Sequence, residues 1–593
     1  VSNDDRQDRQ ERFEERDMME FFATNGEVAR LETDLTQAGG EARQPLLLAL
    51  AWQLRERDTV RALQLADEVE AMPRGPDQTP EARQTVQLRL ILIRGEAKWL
   101  AGEFEAASAL AQQALAGYTE LHYPPGCADA HWLLGWVAYD QGDMARADAA
   151  FYAMVIASAN RDPVRMTLAQ AALARNHIFR DLASARARWG TYFADMKSSS
   201  MHPALATWVE DVAGTLASLD GDHVQCIRHN IQTWRFALES GQIRRALNAA
   251  INVGHTFNRL NDYHTALEWM ERALALAREK GWPGMIGAVL KDTAETLRHL
   301  RRFDDAHHLL REALALMAPM AESRYYGIAL RYLGDIELAR KQYTSALDVF
   351  LLLEHTALPL KQTDLICGAR RGQAEALLEL GQPQRALHAA HAALGDEKIG
   401  VSFRIAALQV LAAIHRRYAL PPPPGMQAVN PALHYLEQAL DLARSIADGA
   451  APANLLDSVA QEYAALGDYQ QAWLLGQQAV AARDKKYATE SDNRSQAMQV
   501  SQQTGVAESL QAERLLAQHL KQAETLLHTS QTIFHALCEY GASVLADAGA
   551  DDKLTQAGRD LSAALQQLEQ LQQLQQLQPL PPSSPLSAPG GSS

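Results

Sequence analysis

Lys291, Arg331 and Arg371 stand 40 residues apart, and Glu295, Asp335 and Glu375 repeat that interval four residues later. A cation and a carboxylate four apart share one face of a helix, so three neighbouring helices would set a basic column beside an acidic one. Such a striped wall can take a peptide's carboxylates and its donors together through charge-assisted hydrogen bonds. The other reading keeps the same six side chains as pairs within each helix, worth roughly 0.2–0.5 kcal/mol apiece. Asn248, His255, Asn258 and Arg259 lie one interval earlier. An asparagine amide can clamp a peptide backbone from both its donor and acceptor sides, although amphipathic helices place such residues on a solvent face by default. A second set is aromatic: Trp132, Trp136 and Tyr139, with Trp99 one interval before them. These are either anchors for a partner or packing between helices.

Catalysis finds no footing in the linear sequence. A phosphate-cradling Gly-rich loop ending in Lys-Ser/Thr, a Gly-x-Ser-x-Gly elbow, a His-Glu-x-x-His pair and a calcium loop are all absent. His388 and His391 are three apart and His307 and His308 adjacent, but neither pair has further ligands in reach, so both read as helix-surface histidines and no metal or other cofactor is expected. Cys127, Cys226, Cys367 and Cys538 are scattered singly, which suggests neither a disulfide framework nor a zinc site and fits a reducing, intracellular setting. The expected class is therefore a binding surface and not an enzyme.

The elements that must position these residues come from one repeated pattern. Ala266, Ala306, Ala346 and Ala386 follow one another at 40 residues, and Ala62, Ala107, Ala147, Ala185, Cys226, Ala432 and Ala472 fill the same place elsewhere, giving eleven copies between residues 45 and 482. Three residues before it stands an apolar residue such as Phe104, Tyr263, Phe303 or Tyr343, often after Gly-Asp or a variant such as Asn261-Asp262. Seven after it comes a small residue (Ala114, Ala273, Ala313, Ala393, Ala439, Ala479), and twelve before it Gly or Ala (Gly95, Gly135, Gly254, Ala294, Gly334, Ala374). Small side chains at these places let two antiparallel helices and the next repeat approach closely. Repetition at this period means a solenoid of stacked helix pairs, and with Val, Ile and Thr sparse the chain reads as all-α.

The repeat resembles the tetratricopeptide repeat in a long form, and is similar to the repeat region of the maltose-regulon activator and of bacterial signalling proteins. The resemblance implies a right-handed superhelical solenoid in which the first helix of each pair lines a concave groove that binds a protein or peptide. It covers about three quarters of the chain and is specific for fold. In signalling relatives a helix leads from such repeats into a diguanylate cyclase, a kinase or a DNA-binding output. No Gly-Gly-Asp-Glu-Phe motif, ATP-binding box or basic recognition helix follows residue 482.

Organisation along the chain follows from composition. Residues 1–44 read as a charged leader and a capping helix from Met18 to Leu35, broken at Gly39-Gly40; 45–482 as the solenoid; 483–547 as a helical, coiled-coil-like extension able to form a homodimer or fold back on the last repeat; 548–578 as a Gln/Leu-rich low-complexity helix; and 579–593 as a disordered tail. The repeats near 160–240 are degenerate, and Pro73 to Pro80 and Pro421 to Pro424 read as loops that lengthen the interval. A net charge of −16 argues against a broad hold on nucleic acid or anionic lipid. The charged first twenty residues and the lack of a twenty-residue apolar run predict neither signal peptide nor membrane span, hence a cytoplasmic protein. These features point to a regulatory or signalling adaptor; the alternatives are a sensory fragment lacking its output domain and a receptor for a short signalling peptide.

Overall fold

The structure, a computed structural model, describes residues 21–502 apart from short stretches, the longest being 74–78 and 446–450. Residues 1–20 of the expected leader and capping helix (1–44), the extension beyond 502, the Gln/Leu-rich helix and the tail lie outside the described residues. Among the described residues every regular element is helical. None of these helices is long and apolar enough to cross a membrane.

Helix α1 (Asn25–Gln37) precedes the array. Pairs follow in order: α2 (Arg43–Leu54) with α3 (Thr59–Ala71), α4 (Pro80–Leu100) with α5 (Phe104–Glu120), and α6 (Pro124–Asp140) with α7 (Met144–Ser158). In the fourth pair the first helix is α8 (Pro163–Ile178), and the described residues of the second include α9 (Leu182–Ala185) and a π turn (Arg186–Gly190). Next come α10 (Pro203–Asp220) with α11 (His223–Ser240), α12 (Ile243–Arg259) with α13 (Tyr263–Lys280), and α14 (Pro283–His299) with α15 (Phe303–Met317). The array closes with α16 (Arg324–Ala339) and α17 (Tyr343–Ala357), α18 (Thr363–Glu379) and α19 (Pro383–Ala393), α20 (Val401–Arg417) and α21 (Pro431–Arg444), and α22 (Ala453–Ala465) with α23, which spans 469–502. The last helix runs without a break through 482, where the repeat pattern stops.

Each residue of the pattern has a packing reason. Ala62, Ala107, Ala147, Ala266, Ala306, Ala346 and Ala386 are fully buried where the two helices of a pair touch, and so are Ala114, Ala273, Ala313, Ala393, Ala439 and Ala479 one face further on. The Phe350 ring lies in a slot between Gly334 and Gly372, on successive first helices, where a Cβ added to Gly334 would stand 2.6 Å from the ring. Five residues before the central alanine the chain enters the left-handed region, with φ of 84° at Gly102 and 81° at Gly142. Asn261, Arg301 and Lys341 hold the same place at φ near 60°, a conformation costing an L-residue roughly 1–2 kcal/mol. The aspartate that often follows caps the second helix, as Asp143 does by accepting from Arg146 N–H at 3.0 Å.

The amino-terminal helix differs from expectation. It begins at Asn25 and not at Met18, because Thr24 and Glu27 form a capping box in which each side chain accepts from the other's backbone N–H. Residues 21–24 before it are non-helical, and Phe21, Phe22 and Ala23 are buried.

The array coils tightly enough to meet itself. Arg57, in the turn of the first pair, donates to Glu239 O at 2.9 Å and to Ser240 O at 3.1 Å, while Lys280 reaches back to Arg57 O at 2.7 Å. These residues flank the sixth pair. Arg494, in the eleventh, donates to Leu260 O at 2.9 Å in the turn of that sixth pair. The superhelix therefore returns on itself every five pairs, and successive coils touch edge to edge.

Candidate functional site

First helices α12, α14, α16 and α18 bring the predicted charges into one ribbon, because a 40-residue interval repeats the same register on neighbouring helices. The ribbon is largely self-paired. Arg371 donates to Glu375 at 2.6 Å on its own helix and to Asp335 at 3.0 Å on the helix before. By the same register Arg331 would meet Glu295, but Glu295 is held by Arg298, through two bonds of 2.7 Å, and by His299 at 3.4 Å. Lys291 would meet His255, finds no acid there, and turns to Asp292, which His255 also approaches at 3.0 Å. Lys291 is 3% exposed, so it is a buried member of a pair and not a wall residue open to a ligand.

That leaves Arg331. It is half-buried, lies over the Tyr332 ring at 4.8 Å and makes no ion pair or hydrogen bond among the described residues. Nearby on α12, the half-buried Asn248 also makes no hydrogen bond among the described residues. Asn258 donates to Thr296 at 2.8 Å but leaves its own Oδ1 without a donor. Arg259 is exposed and bonds Ser218 at 3.1 Å. Of the ten predicted groove residues, then, Arg331 and Asn248 make no hydrogen bond or ion pair among the described residues, and Asn258 leaves one buried acceptor open.

Electrostatics record the pairing. Burial opposes ionisation of Asp292, but Lys291 and His255 outweigh it and bring its pKa down to about 2. Burial likewise opposes ionisation of Glu295, yet the bonds from Arg298 and His299 prevail and its pKa also falls to about 2. A carboxyl whose pKa is depressed on folding adds stability in full above its unfolded value, here 4.5, and loses it as pH falls toward the folded value. Glu295→Gln should accordingly lower the thermal midpoint at pH 7, with the gap to wild type closing between pH 4.5 and 2. A constant gap across that window, read by circular dichroism, would show that Glu295 does not carry this charge.

The aromatic set has a different fate. Trp99, Trp132 and Trp136 are buried, and Tyr139 half-buried, inside the first coil of the superhelix. Trp132 packs edge-on against Trp136 at 5.5 Å and Trp208 at 5.2 Å, and Trp99 donates to Asp140 at 2.7 Å. These contacts bury the tryptophans, so they are not exposed to solvent on an open groove. Around them lie buried ion pairs that the linear reading missed: Arg55 with Glu96 at 2.9 Å, Arg165 with Asp129 at 2.7 Å, Arg175 with Asp211 at 3.1 Å and Arg244 with Asp140 at 2.6 Å. A signal existed. Asp129 and Arg165, Arg175 and Asp211, and Asp335 and Arg371 are all 36 residues apart, one repeat less about one helical turn, which is the offset at which adjacent parallel first helices face each other.

Elsewhere, His391 and His415 flank the Tyr435 ring at 6.1 and 5.5 Å. Burial lowers the pKa of both. Of the described cysteines, Cys226 and Cys367 are buried and Cys127 half-buried, none in a disulfide.

A family model described as tetratricopeptide repeat matches residues 242–318, and a second of the same description matches 94–163 and 292–359. No curated protein matches the chain. Among solved structures, the chain is similar to a Rap protein complexed with competence and sporulation factor, at 13% identity over 76% of this chain and 100% of that one, TM-score 0.34. It is similar also to the apo quorum sensor NprR from B. thuringiensis, at 14% identity over 59% and 96%, TM-score 0.42. A third is the human IFIT1 dimer with PPP-AAAA, at 13% identity over 77% and 94%, TM-score 0.33.

Proposed function

The chain is a tetratricopeptide-type repeat protein, and from that premise we propose that it is a non-enzymatic adaptor that holds a protein or peptide on the first-helix ribbon of α12 to α18. The observation that carries this reading is Arg331. In a ribbon where the other charges on α14, α16 and α18 are answered by the chain itself, this guanidinium has no carboxylate among the described residues. A guanidinium over an aromatic ring is well placed to accept a carboxylate in bidentate geometry. Asn248 and the free Oδ1 of Asn258 add backbone-directed capacity two repeats away. The partner expected is thus an acidic segment of a protein or a peptide, and the net charge of −16 leaves nucleic acid a poor fit.

The test is a displayed random-peptide library panned against the full chain and against Arg331→Glu. Wild type should enrich sequences sharing a carboxylate, and Arg331→Glu should lose them by 10-fold or more, since truncating a desolvated charge partner costs about 2–5 kcal/mol. Arg331→Lys should retain part of the binding. Equal enrichment on wild type and Arg331→Glu would move the site off this ribbon. Lys291→Glu and Arg371→Glu are unsuitable probes, because both residues hold the fold together.

A further inference from the structure

The concave face of the first four pairs is already occupied by the chain itself. Residues 21–23 run along it in non-helical form, and Phe21 and Phe22 are 1% and 4% exposed. Their surroundings have the construction of a peptide site and not only of a hydrophobic seal. Side chains, and not neighbouring backbone, meet the segment's main chain: Gln53 accepts from Ala23 N–H at 2.8 Å, Arg55 donates to Phe21 O at 3.1 Å and Arg57 donates to Ala23 O at 2.7 Å. Such contacts hold any extended main chain regardless of its sequence, while pockets for side chains supply selectivity.

The pockets here select rings. Phe21 meets the edge of Trp132 at 5.7 Å with the Arg165 guanidinium 5.0 Å away, and Phe22 lies under Arg55 at 4.4 Å. Arg55 and Arg165 are buried and tied to Glu96 and Asp129 on neighbouring first helices. The cations are thus fixed in place before any ring arrives, so the site is preorganised for cation–π contact. α1, which carries the segment, is held by buried Val28 and Leu35 and by Glu32 on Arg61 at 2.6 Å, and the exposed Gly39 and Gly40 join it to the first pair, so a cut there frees segment and helix as one piece.

We propose that the concave face of the first four pairs is a binding site for an extended peptide with two adjacent aromatic residues, and that residues 21–23 are its exchangeable occupant in cis. A tethered occupant acts at an effective concentration on the order of millimolar. A partner segment with the same Phe-Phe character would therefore enter only when α1 is displaced or cut away. The site is separate from the Arg331 ribbon and does not depend on that reading.

A protease recognition sequence placed between Gly39 and Gly40 of the full chain tests this, with a fluorescent synthetic peptide of residues 17–37 as the probe. The intact protein should bind the probe weakly. After cutting, the released fragment should exchange with it, raising occupancy at a fixed probe concentration by about 10-fold or more, while a probe with Phe21→Ser and Phe22→Ser should not bind. Uncut Phe21→Ser/Phe22→Ser protein provides a second arm: it should keep its helical circular dichroism and bind the wild-type probe better than wild-type protein does. Two results would overturn the proposal: a cut protein that keeps its fragment against excess probe, or a cut or doubly substituted protein that loses its helicity. Either would make the segment a fixed part of the core. Arg331→Glu should leave every arm of this experiment unchanged.

Discussion

Asp129→Ala should destabilise the first coil more than any surface change, by about 3–5 kcal/mol. The carboxylate is fully buried and serves two guanidinia, Arg165 at 2.7 Å and Arg89 on the other side. Burial by itself would discourage its ionisation, but those two arginines reverse the balance and hold its pKa below the ordinary value. Its removal leaves Arg89 without a carboxylate among the described residues and Arg165 with only Asp162 at 2.6 Å, and most of the loss comes from these buried cations and not from the missing bond. Urea unfolding followed by tryptophan emission reads this region directly, because Trp52 lies under Arg89 at 4.2 Å and Trp132 lies one turn along α6 from Asp129. A change below about 1 kcal/mol would mean that water reaches the two arginines once the acid is gone. Asp129→Leu combined with Arg89→Met, Arg165→Met and Asp162→Asn should recover much of the loss, since Asp162 also pairs with Arg165 and replacing a whole buried ionic group is often neutral or better.

Phe350→Ala should cost about 3–5 kcal/mol. The ring is fully buried and fills the slot that Gly334 and Gly372 leave between successive first helices, so its loss opens a cavity where three helices meet. The reverse error is also damaging. Gly334→Ala would press a methyl into the ring and should cost about 1–3 kcal/mol by overpacking. The two changes should not add: in Gly334→Ala/Phe350→Ala the new methyl occupies part of the vacated space, and the double variant should be more stable than the sum of the singles implies by about 0.5–3 kcal/mol. Strict additivity by denaturant titration would show that the helices close up without help from either side chain.

The contrast between these two sites explains what could be read in the sequence. The glycine and alanine places were legible because each is enforced by contact within one repeat or with the next, so the same demand recurs every 40 residues: Ala306, Ala346 and Ala386 are all fully buried. The left-handed turn position was legible for the same reason, even where Arg301 and Lys341 replace glycine. Charge function was less so. The six predicted groove charges were placed on the right helices, but which of them stays unpaired depends on whether Arg298 and His299 reach Glu295 before Arg331 does, a contest of rotamers that spacing does not record. For the tryptophans the sequence left anchoring and packing both open, because an aromatic on a first helix faces a groove only if the groove is open. In the first coil it is not: Phe21 and Phe22 and the coil's own arginines occupy it. The start of α1 was misjudged because the Thr24 and Glu27 capping box was passed over.

An extended solenoid behaves as a soft spring, since each unit touches only its neighbours and small changes in angle add up along its length. Here the bonds from Arg57 to Glu239 and Ser240, and from Arg494 to Leu260, fasten one coil to the next. A spring whose windings are latched has no slack at low force. Pulled from its ends, this array should stay stiff until the latches at residues 57 and 494 give way, and only then lengthen as a soft coil. A partner that wedges between windings would be doing mechanical work on the protein, changing its length as well as filling a site.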